Sequence, residues 1–376
     1  MLHILADEMM PHVTELFSPV AQVTTKAGRD ITAEDLIGVH ILLVRSVTQV
    51  NAQLLSYAEN LVFVGSATIG VDHIDQQALQ DRGIAFSAAP GCNAIAVGQY
   101  ALCALLTLAQ QSNILLQNKT VGIVGAGHTG QALAQCLKAL KVKVIFYDPF
   151  EPEHPYLGIL YVDWQTLCEQ SDVLSFHVPL TYTGPYPTHH MVNTKTLAQI
   201  KSGVWLLNCC RGEVMDTQAL KAWRIQDTQA KLVLDVWEHE PHPDPELLAL
   251  CDLGTPHIAG HSMEGKLRGT YQLYQKLTAL YQWPTMIEFK RFLPETRLKP
   301  VKLTRLPDEA ELFNLCTKVY NIRHDDHLFR QHMQQDQGFD LMRSQYALRH
   351  EFSALTVCSK DQVTLKLLAQ IGFTTK

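Results

Sequence analysis

The sequence predicts an α/β chain: two doubly wound parallel-sheet domains with a cleft between them, then a small α+β domain. Three observations predict this. Short apolar runs alternate with helical patterns twice over, first in residues 1–93 and again after Thr120. The second series opens on Thr120-Val-Gly-Ile-Val-Gly-Ala-Gly-His-Thr-Gly130, where an apolar run enters a G-x-G-x-x-G turn. From residue 286 the composition changes, and Pro284, Pro294, Pro300 and Pro307 punctuate a linker. Both large domains are accordingly Rossmann-like.

In chain order, Leu2–Ala6, Ile41–Val44, Leu61–Val64 and Ile84–Phe86 read as strands, with helical stretches at Met9–Phe17, Ala33–Ile37 and Ile74–Arg82. The long apolar helix from Ala94 to Ala109 carries the chain into the second domain. After the glycine turn, strands are expected at Val142–Tyr147, Val173–His177, Trp205–Asn208, Lys231–Val236 and near Ile258. Helices are expected at Asp163–Gln170, Thr194–Ile200 and Thr217–Trp223. A helix from Glu264 to Tyr281 crosses back to the first domain, which is therefore discontinuous. The expected domains are 1–93 with 258–285, 94–257, and 286–376. In the last, Val301–Leu306 and Ala354–Cys358 read as strands and Asp308–Tyr320, Phe339–His350 and Gln362–Ile371 as helices. Too small for a large core, it should pack on a partner subunit or on the main body.

With 376 residues, 47% of them hydrophobic and 18% charged, the chain has the profile of a multidomain soluble protein. A net charge of −6 without Lys/Arg runs argues against nucleic acid as a partner. Ala94–Ala109 is too short for a membrane span and carries Gly98 and Gln99. The start, Met1-Leu-His-Ile-Leu-Ala-Asp7, lacks the features of a signal peptide. Nine cysteines without C-x-x-C fit reduced thiols in a cytoplasm.

The glycine turn has the surroundings its chemistry needs. Val121–Val124 leads in, a helical face of Leu133, Leu137 and Leu140 follows, and a second strand ends in Asp148. Gly125 permits the tight turn, Gly127 admits a pyrophosphate close to the backbone, and Gly130 lets helix and strand pack closely. His128 and Thr129 open the helix, whose N–H groups and dipole face the phosphates. Asp148 suits the ribose hydroxyls, and Phe150-Glu151 supplies no cation for a 2′-phosphate, which favours NAD over NADP. The strand-end residues Val178, Cys209 and Cys210 join this cofactor set, the two thiols being buried.

Three further groups lie near strand ends of the same domain: Arg211, Glu240 and His257. A guanidinium can grip a carboxylate through two parallel hydrogen bonds. An imidazole can accept a hydroxyl proton near neutral pH, and a carboxylate can orient it and stabilise its cation. With a nicotinamide, that is the apparatus for oxidising a 2-hydroxy acid. His257 and His261 alone do not make a metal site, since cysteine spacing and H-E-x-x-H are absent. No metal is expected. His73, His177, His189 and His190 read as structural or exposed, and Lys266 and Arg268 as a solvated helix face. Arg45, before Ser46 at a strand end, is a candidate phosphate or carboxylate contact.

On these residues the chain resembles the D-2-hydroxyacid dehydrogenase family from about Met1 to Tyr281. Val44-Arg-Ser-Val-Thr48, Ser87–Val97, Gly184-Pro-Tyr186, Cys210-Arg-Gly212, His257-Ile-Ala-Gly260 and Glu264-Gly-Lys266 carry the resemblance. Within the family it looks most like a subfamily that oxidises a phosphorylated four-carbon 2-hydroxy acid for pyridoxal phosphate synthesis and dimerises through an extra C-terminal domain. The resemblance implies that Arg211, Glu240 and His257 are catalytic and that Ser46 and Thr68 touch substrate. It also implies that Asp148, Asp235 and Gly260 touch NAD. His261 stands where that subfamily leads us to expect a tyrosine contacting substrate. The expected reaction places the substrate carboxylate between Arg211 and the Ser66–Gly70 loop, with closure of the cleft on hinges near Asn93 and 258–264. Two alternatives stay open: a sibling enzyme acting on 3-phosphoglycerate, glycerate or another 2-hydroxy acid, and a binding protein that senses NAD(H).

Overall fold

A computed structural model describes residues 1–150, 156–283, 287–293, 295–347 and 349–376. Glu151, Pro284, Pro294 and the expected boundary at Met286 lie outside the described residues. The chain divides into two compact units, Met1–Asn93 with Ser262–Glu295, and Ala94–His261 with Thr296–Lys376. Residues 258–261 stay with the second unit because Asp235, at the end of a strand there, holds the backbone of Ile258 and Ala259.

In the first unit the strands β1 (His3–Asp7), β2 (Gln22–Lys26), β3 (Ile41–Val44), β4 (Phe63–Ser66) and β5 (Ala85–Ser87) form a parallel sheet ordered β2-β1-β3-β4-β5. The strand order reverses between β1 and β3, and the carboxyl ends there are where such sheets bind ligands. β2 was not expected. As an edge strand it has no apolar run, only the β-branched Val23, Thr24 and Thr25. The helix expected from Met9 starts at Val13, because Pro11 and the left-handed His12 (φ 54°) precede it. The helix Met263–Tyr281, capped by Ser262, lays Tyr271, Leu273, Tyr274 and Leu277 against Ile4, Ile41, Leu43 and Phe63.

The second unit holds β6 (Thr120–Val124), β7 (Lys143–Tyr147), β8 (Leu160–Tyr161), β9 (Val173–Phe176), β10 (Trp205–Asn208), β11 (Lys231–Leu234) and β12 (Leu253–Gly254). Their order is β12-β11-β10-β9-β6-β7-β8, all parallel, with its reversal between β6 and β9. The strand expected near Ile258 is a turn, and the sheet ends instead on the short β12. The helix Ala94–Ser112 has the length and apolarity of a membrane span, yet 83% of that window is buried. It lies so close to the helix His128–Ala139 that a Cβ on Gly98 would come within 2.8 Å of the Ala132 and Leu133 backbone.

The C-terminal segment adds a parallel sheet of β13 (Val301–Leu303), β14 (Thr356–Ser359) and β15 (Thr374–Thr375). Its helices are Glu309–Val319, Ile322–His332, Gly338–Ser344 and Gln362–Ile371. Leu312, Phe313, Phe352, Leu368 and Ile371 share one hydrophobic cluster with Val97, Tyr100, Ala101, Leu133 and Leu137. Gln99 adds polar fixings, accepting from Phe352 N (2.9 Å) and donating to the Ile371 carbonyl (3.4 Å). The tail therefore packs on the body of its own chain.

Candidate active site

The glycine turn follows β6. Gly125 has φ +94°, and a Cβ there would lie 2.7 Å from the His177 carbonyl oxygen, so only glycine fits. At Gly130 a Cβ would lie 2.1 Å from the Gly125 carbonyl oxygen. At Gly127 the same Cβ would meet nothing within 4 Å. That is open space above the backbone, at the start of a helix with no side-chain cap, beginning at His128 and Thr129. A pyrophosphate fits this place, where uncapped N–H groups and the helix dipole point at it. Asp148, at the end of β7, accepts from Ala126 N (2.9 Å) and Phe150 N (3.0 Å). These bonds fix its carboxylate beside the turn and leave lone pairs for ribose hydroxyls.

Behind the turn, His177 is buried with its Nε2 paired to Ser175 Oγ at 2.8 Å, and burial pushes the ring down to about 4. The ring stays neutral in the fold, whereas in the unfolded chain it takes a proton near its ordinary 6.5. Its contribution to stability is therefore full above pH 6.5 and is lost as pH falls toward 4, about 3 kcal/mol over that window. We expect Tm to drop between pH 7 and 4.5, and His177→Gln to flatten that drop. An equally steep drop in the variant would exclude His177 as its source.

Parallel pairing of β10, β11 and β12 brings their carboxyl ends side by side, and Arg211, Glu240 and His257 follow those ends in turn. His257 Nδ1 lies 2.8 Å from Glu240 Oε2. With Glu240 ionised, Nδ1 carries the proton and Nε2 is left as the acceptor. Burial raises the Glu240 carboxyl, but the attraction of His257 in its protonated form, its hydrogen bond, the Trp237 N–H and the charge of Arg343 outweigh it and hold the group below its usual range. His257 sits at φ 57°, unusual for a residue with a Cβ. Asp235 maintains that conformation: its carbonyl accepts from His257 N (2.6 Å), and its carboxylate accepts from Thr255 Oγ1 (2.6 Å), Ile258 N (2.8 Å) and Ala259 N (2.8 Å).

Asn208 shapes the turn that presents Arg211, donating to the Arg211 carbonyl (2.9 Å) and accepting from Cys210 N (3.1 Å). Beyond it, a Cβ on Gly212 would lie 2.0 Å from the Trp237 carbonyl, so the Arg211 turn rests directly on the Trp237 backbone. Trp237 N donates to Glu240 Oε1 (2.9 Å) and its indole N–H to the Thr255 carbonyl (2.8 Å). Trp237 thus ties together the loops of all three candidate residues. Neither Trp237 nor Asn208 nor Thr255 emerged from the sequence. A polar residue closing an apolar strand, as Asn208 does, was the one available signal.

Cys209 and Cys210 are buried; burial raises both thiols, Cys210 to about 11, so neither is a nucleophile near neutral pH. Val178 follows β9 and touches the Gly125 position, and Gly260 follows the Asp235-held turn. Asp235 is itself 1% exposed and engaged with its own chain. The remaining candidates, Arg45, Ser46 and Thr68, belong to the first unit at the carboxyl ends of β3 and β4. There Thr68 Oγ1 bonds Ser66 Oγ (2.7 Å) and the Gly70 carbonyl (2.9 Å), while Ser66 Oγ also meets His73 Nε2 (2.9 Å). His261 lies in the second unit, its ring 6.2 Å from that of Tyr346. Among the described residues no His/Cys/Asp/Glu group could hold a metal.

A relative from Shewanella oneidensis, named erythronate-4-phosphate dehydrogenase, is 47% identical over 99% of both chains. The chain belongs to the erythronate-4-phosphate dehydrogenase family. Residues 106–259 match a family model described as D-isomer specific 2-hydroxyacid dehydrogenase, NAD binding domain, and residues 292–372 match a domain of unknown function. A D-lactate dehydrogenase structure from Treponema pallidum shares 27% identity at a TM-score of 0.62, covering 76% of this chain and 98% of its own. A D-lactate dehydrogenase from Aquifex aeolicus, complexed with NAD and lactic acid, matches in fold at a TM-score of 0.62 and 24% identity, over 74% of this chain and 95% of its own. Members of the erythronate-4-phosphate dehydrogenase family are NAD-dependent 2-hydroxyacid dehydrogenases, and this chain is such an oxidoreductase. Its cofactor is NAD, its substrate a small hydroxy acid.

Proposed function

We propose that the chain oxidises 4-phospho-D-erythronate to 3-hydroxy-2-oxo-4-phosphooxybutanoate, a step toward pyridoxal 5′-phosphate. The 2.8 Å His257–Glu240 pair at adjacent strand ends carries the reaction class. The substrate follows from the relative's name across nearly the whole chain. NAD bound at the glycine turn would supply the hydride acceptor for C2. Arg211 grips the substrate carboxylate and polarises the adjacent carbon–oxygen bond. His257 Nε2 accepts the C2 hydroxyl proton, and Glu240 stabilises the imidazolium so formed. Gly125, Gly127, His128, Thr129, Gly130 and Asp148 hold the cofactor's phosphates and ribose, with Val178, Cys209, Cys210, Asp235 and Gly260 as further contacts. Arg45, Ser46, Thr68 and His261 complete the substrate contacts.

The test is a panel of phosphorylated hydroxy acids with NAD, followed by the absorbance of reduced nicotinamide. 4-Phospho-D-erythronate should give the highest kcat/KM. Preference for 3-phosphoglycerate or glycerate would move the chain to a sibling activity, and no turnover with any member would leave an NAD(H)-binding protein. We further propose a cytoplasmic homodimer formed through the tail. All nine cysteines are free, which fits a reducing compartment, and Leu306 and Val363 of the tail are exposed apolar groups. A solution mass of one chain instead of two would exclude the dimer.

A further inference from the structure

Tyr346 and Arg349 belong to the region matched only by a domain of unknown function, yet they meet the loop that carries His257. Arg349 is 7% exposed. Its Nη2 donates to the Ala259 carbonyl (2.5 Å) and to the Ala96 carbonyl (2.9 Å). The guanidinium lies 4.2 Å from the centre of the Tyr320 ring. Nearby, Tyr346 donates to the buried Asp325 (2.8 Å) and sets its ring against that of His261. Ala259 is thus held on both of its flanking peptides, through its N–H by Asp235 and through its carbonyl by Arg349. Burying a guanidinium is costly unless its hydrogen bonds are kept, and here two of those bonds end on carbonyls at the start of the long helix and beside the catalytic loop.

We propose that Arg349 is a positioning residue for the reaction: it clamps the His257–His261 loop, so that the C-terminal region sets the aim of the imidazole within its own chain. The loop needs such a clamp because His257 occupies a left-handed conformation and Asp235 grips only the amide side of the turn. Without Arg349 the Ala259 carbonyl is left buried and unpaired, and the turn can relax around it. The glycine turn and Asp148 have no part in the clamp, and of the proposed cofactor contacts only Asp235 and Gly260 lie at it, so NAD affinity should change far less than kcat. The clamp's effect on rate rests on His257 being the proton acceptor; the clamp itself does not.

The experiment compares Arg349→Met and Arg349→Lys with the parent chain and with His257→Ala. It measures kcat with 4-phospho-D-erythronate, NAD affinity by fluorescence, and amide hydrogen exchange of the NAD-bound protein. For Arg349→Met we expect kcat to fall about 10- to 100-fold, as a displaced catalytic group would cause, with NAD affinity within about twofold. Exchange should quicken across residues 257–261 and not across 120–130. Arg349→Lys, which keeps one charged donor, should recover part of the rate, and it carries the same measurements if the methionine variant does not fold. Unchanged exchange at 257–261, or kcat and NAD affinity lost together in both variants, overturns the clamp. If His257→Ala keeps its kcat while exchange at 257–261 still quickens in the Arg349 variants, the clamp stands and the assignment of the base fails instead.

Discussion

Replacing His257 with alanine should lower kcat by about 10²- to 10⁴-fold, the usual worth of a positioned general base. NAD affinity should hardly change, because Gly127, the helix start at His128 and Asp148 lie apart from the β12 loop. The loss belongs to the proton transfer: with no acceptor at Nε2, the C2 hydroxyl must give its proton to water as the hydride leaves. Glu240→Gln should cost less. A glutamine oxygen can still accept from Nδ1 at the 2.8 Å position, but it cannot stabilise the imidazolium by charge. In the parent the help that Glu240 gives depends on its being ionised. Its carboxyl is held below the usual range, so its contribution is complete above the ordinary carboxylate value and is lost only as pH falls through the lowered one. Steady-state kinetics across pH 5 to 9 with both variants checks this, and an unchanged kcat in His257→Ala would remove histidine from the mechanism.

Arg211→Met should cut kcat/KM for the hydroxy acid by roughly 30- to several thousand-fold, since losing one partner of a desolvated charge pair costs about 2–5 kcal/mol. Most of that should appear in KM if the guanidinium only holds the carboxylate, and in kcat as well if it also polarises the reacting carbon–oxygen bond. Lysine should not restore the activity. Its ammonium is a point charge on a flexible stem, whereas the Arg211 fork is presented by a turn fixed through Asn208 and seated on Trp237. Recovery to within a few-fold in Arg211→Lys would mean that charge alone is required and that the two-pronged grip is wrong. NAD titration of both variants separates loss of the carboxylate contact from collapse of the β10 end.

Much of this follows from patterns a few residues long. Apolar runs such as Ile41–Val44 and Trp205–Asn208 became strands at the same residues, because a buried parallel strand needs no alternation and no partner nearby in sequence. Gly125 and Gly130 could be read locally for the same reason: a turn with φ above zero and a close backbone approach can be built only from glycine, while Gly127 leaves open space beside the backbone. β2 could not, since an edge strand is half solvated and its Gln22–Lys26 resembles a loop. Nor could the end of the helix begun at Gly338. It stops at Ser344, and the chain beyond it is placed by Tyr346 and Arg349 through contacts with Asp325 and Ala259.

By itself the sequence determined the two α/β halves and the dinucleotide turn, and it nominated Arg211, Glu240 and His257 as candidates, since strand ends and glycine spacing are local properties of the chain. Only the tertiary structure decided how those three groups are held. Trp237 joins their loops through a backbone contact at Gly212, a carboxylate at Glu240 and a carbonyl at Thr255. Asp235 and Arg349 hold the two peptides that flank the Ala259 Cα, from strand and tail. A hydrogen bond such as that from Arg349 to Ala259, 90 positions away, leaves no periodicity in the sequence, and such bonds form only once the β-sheet has brought its strand ends together.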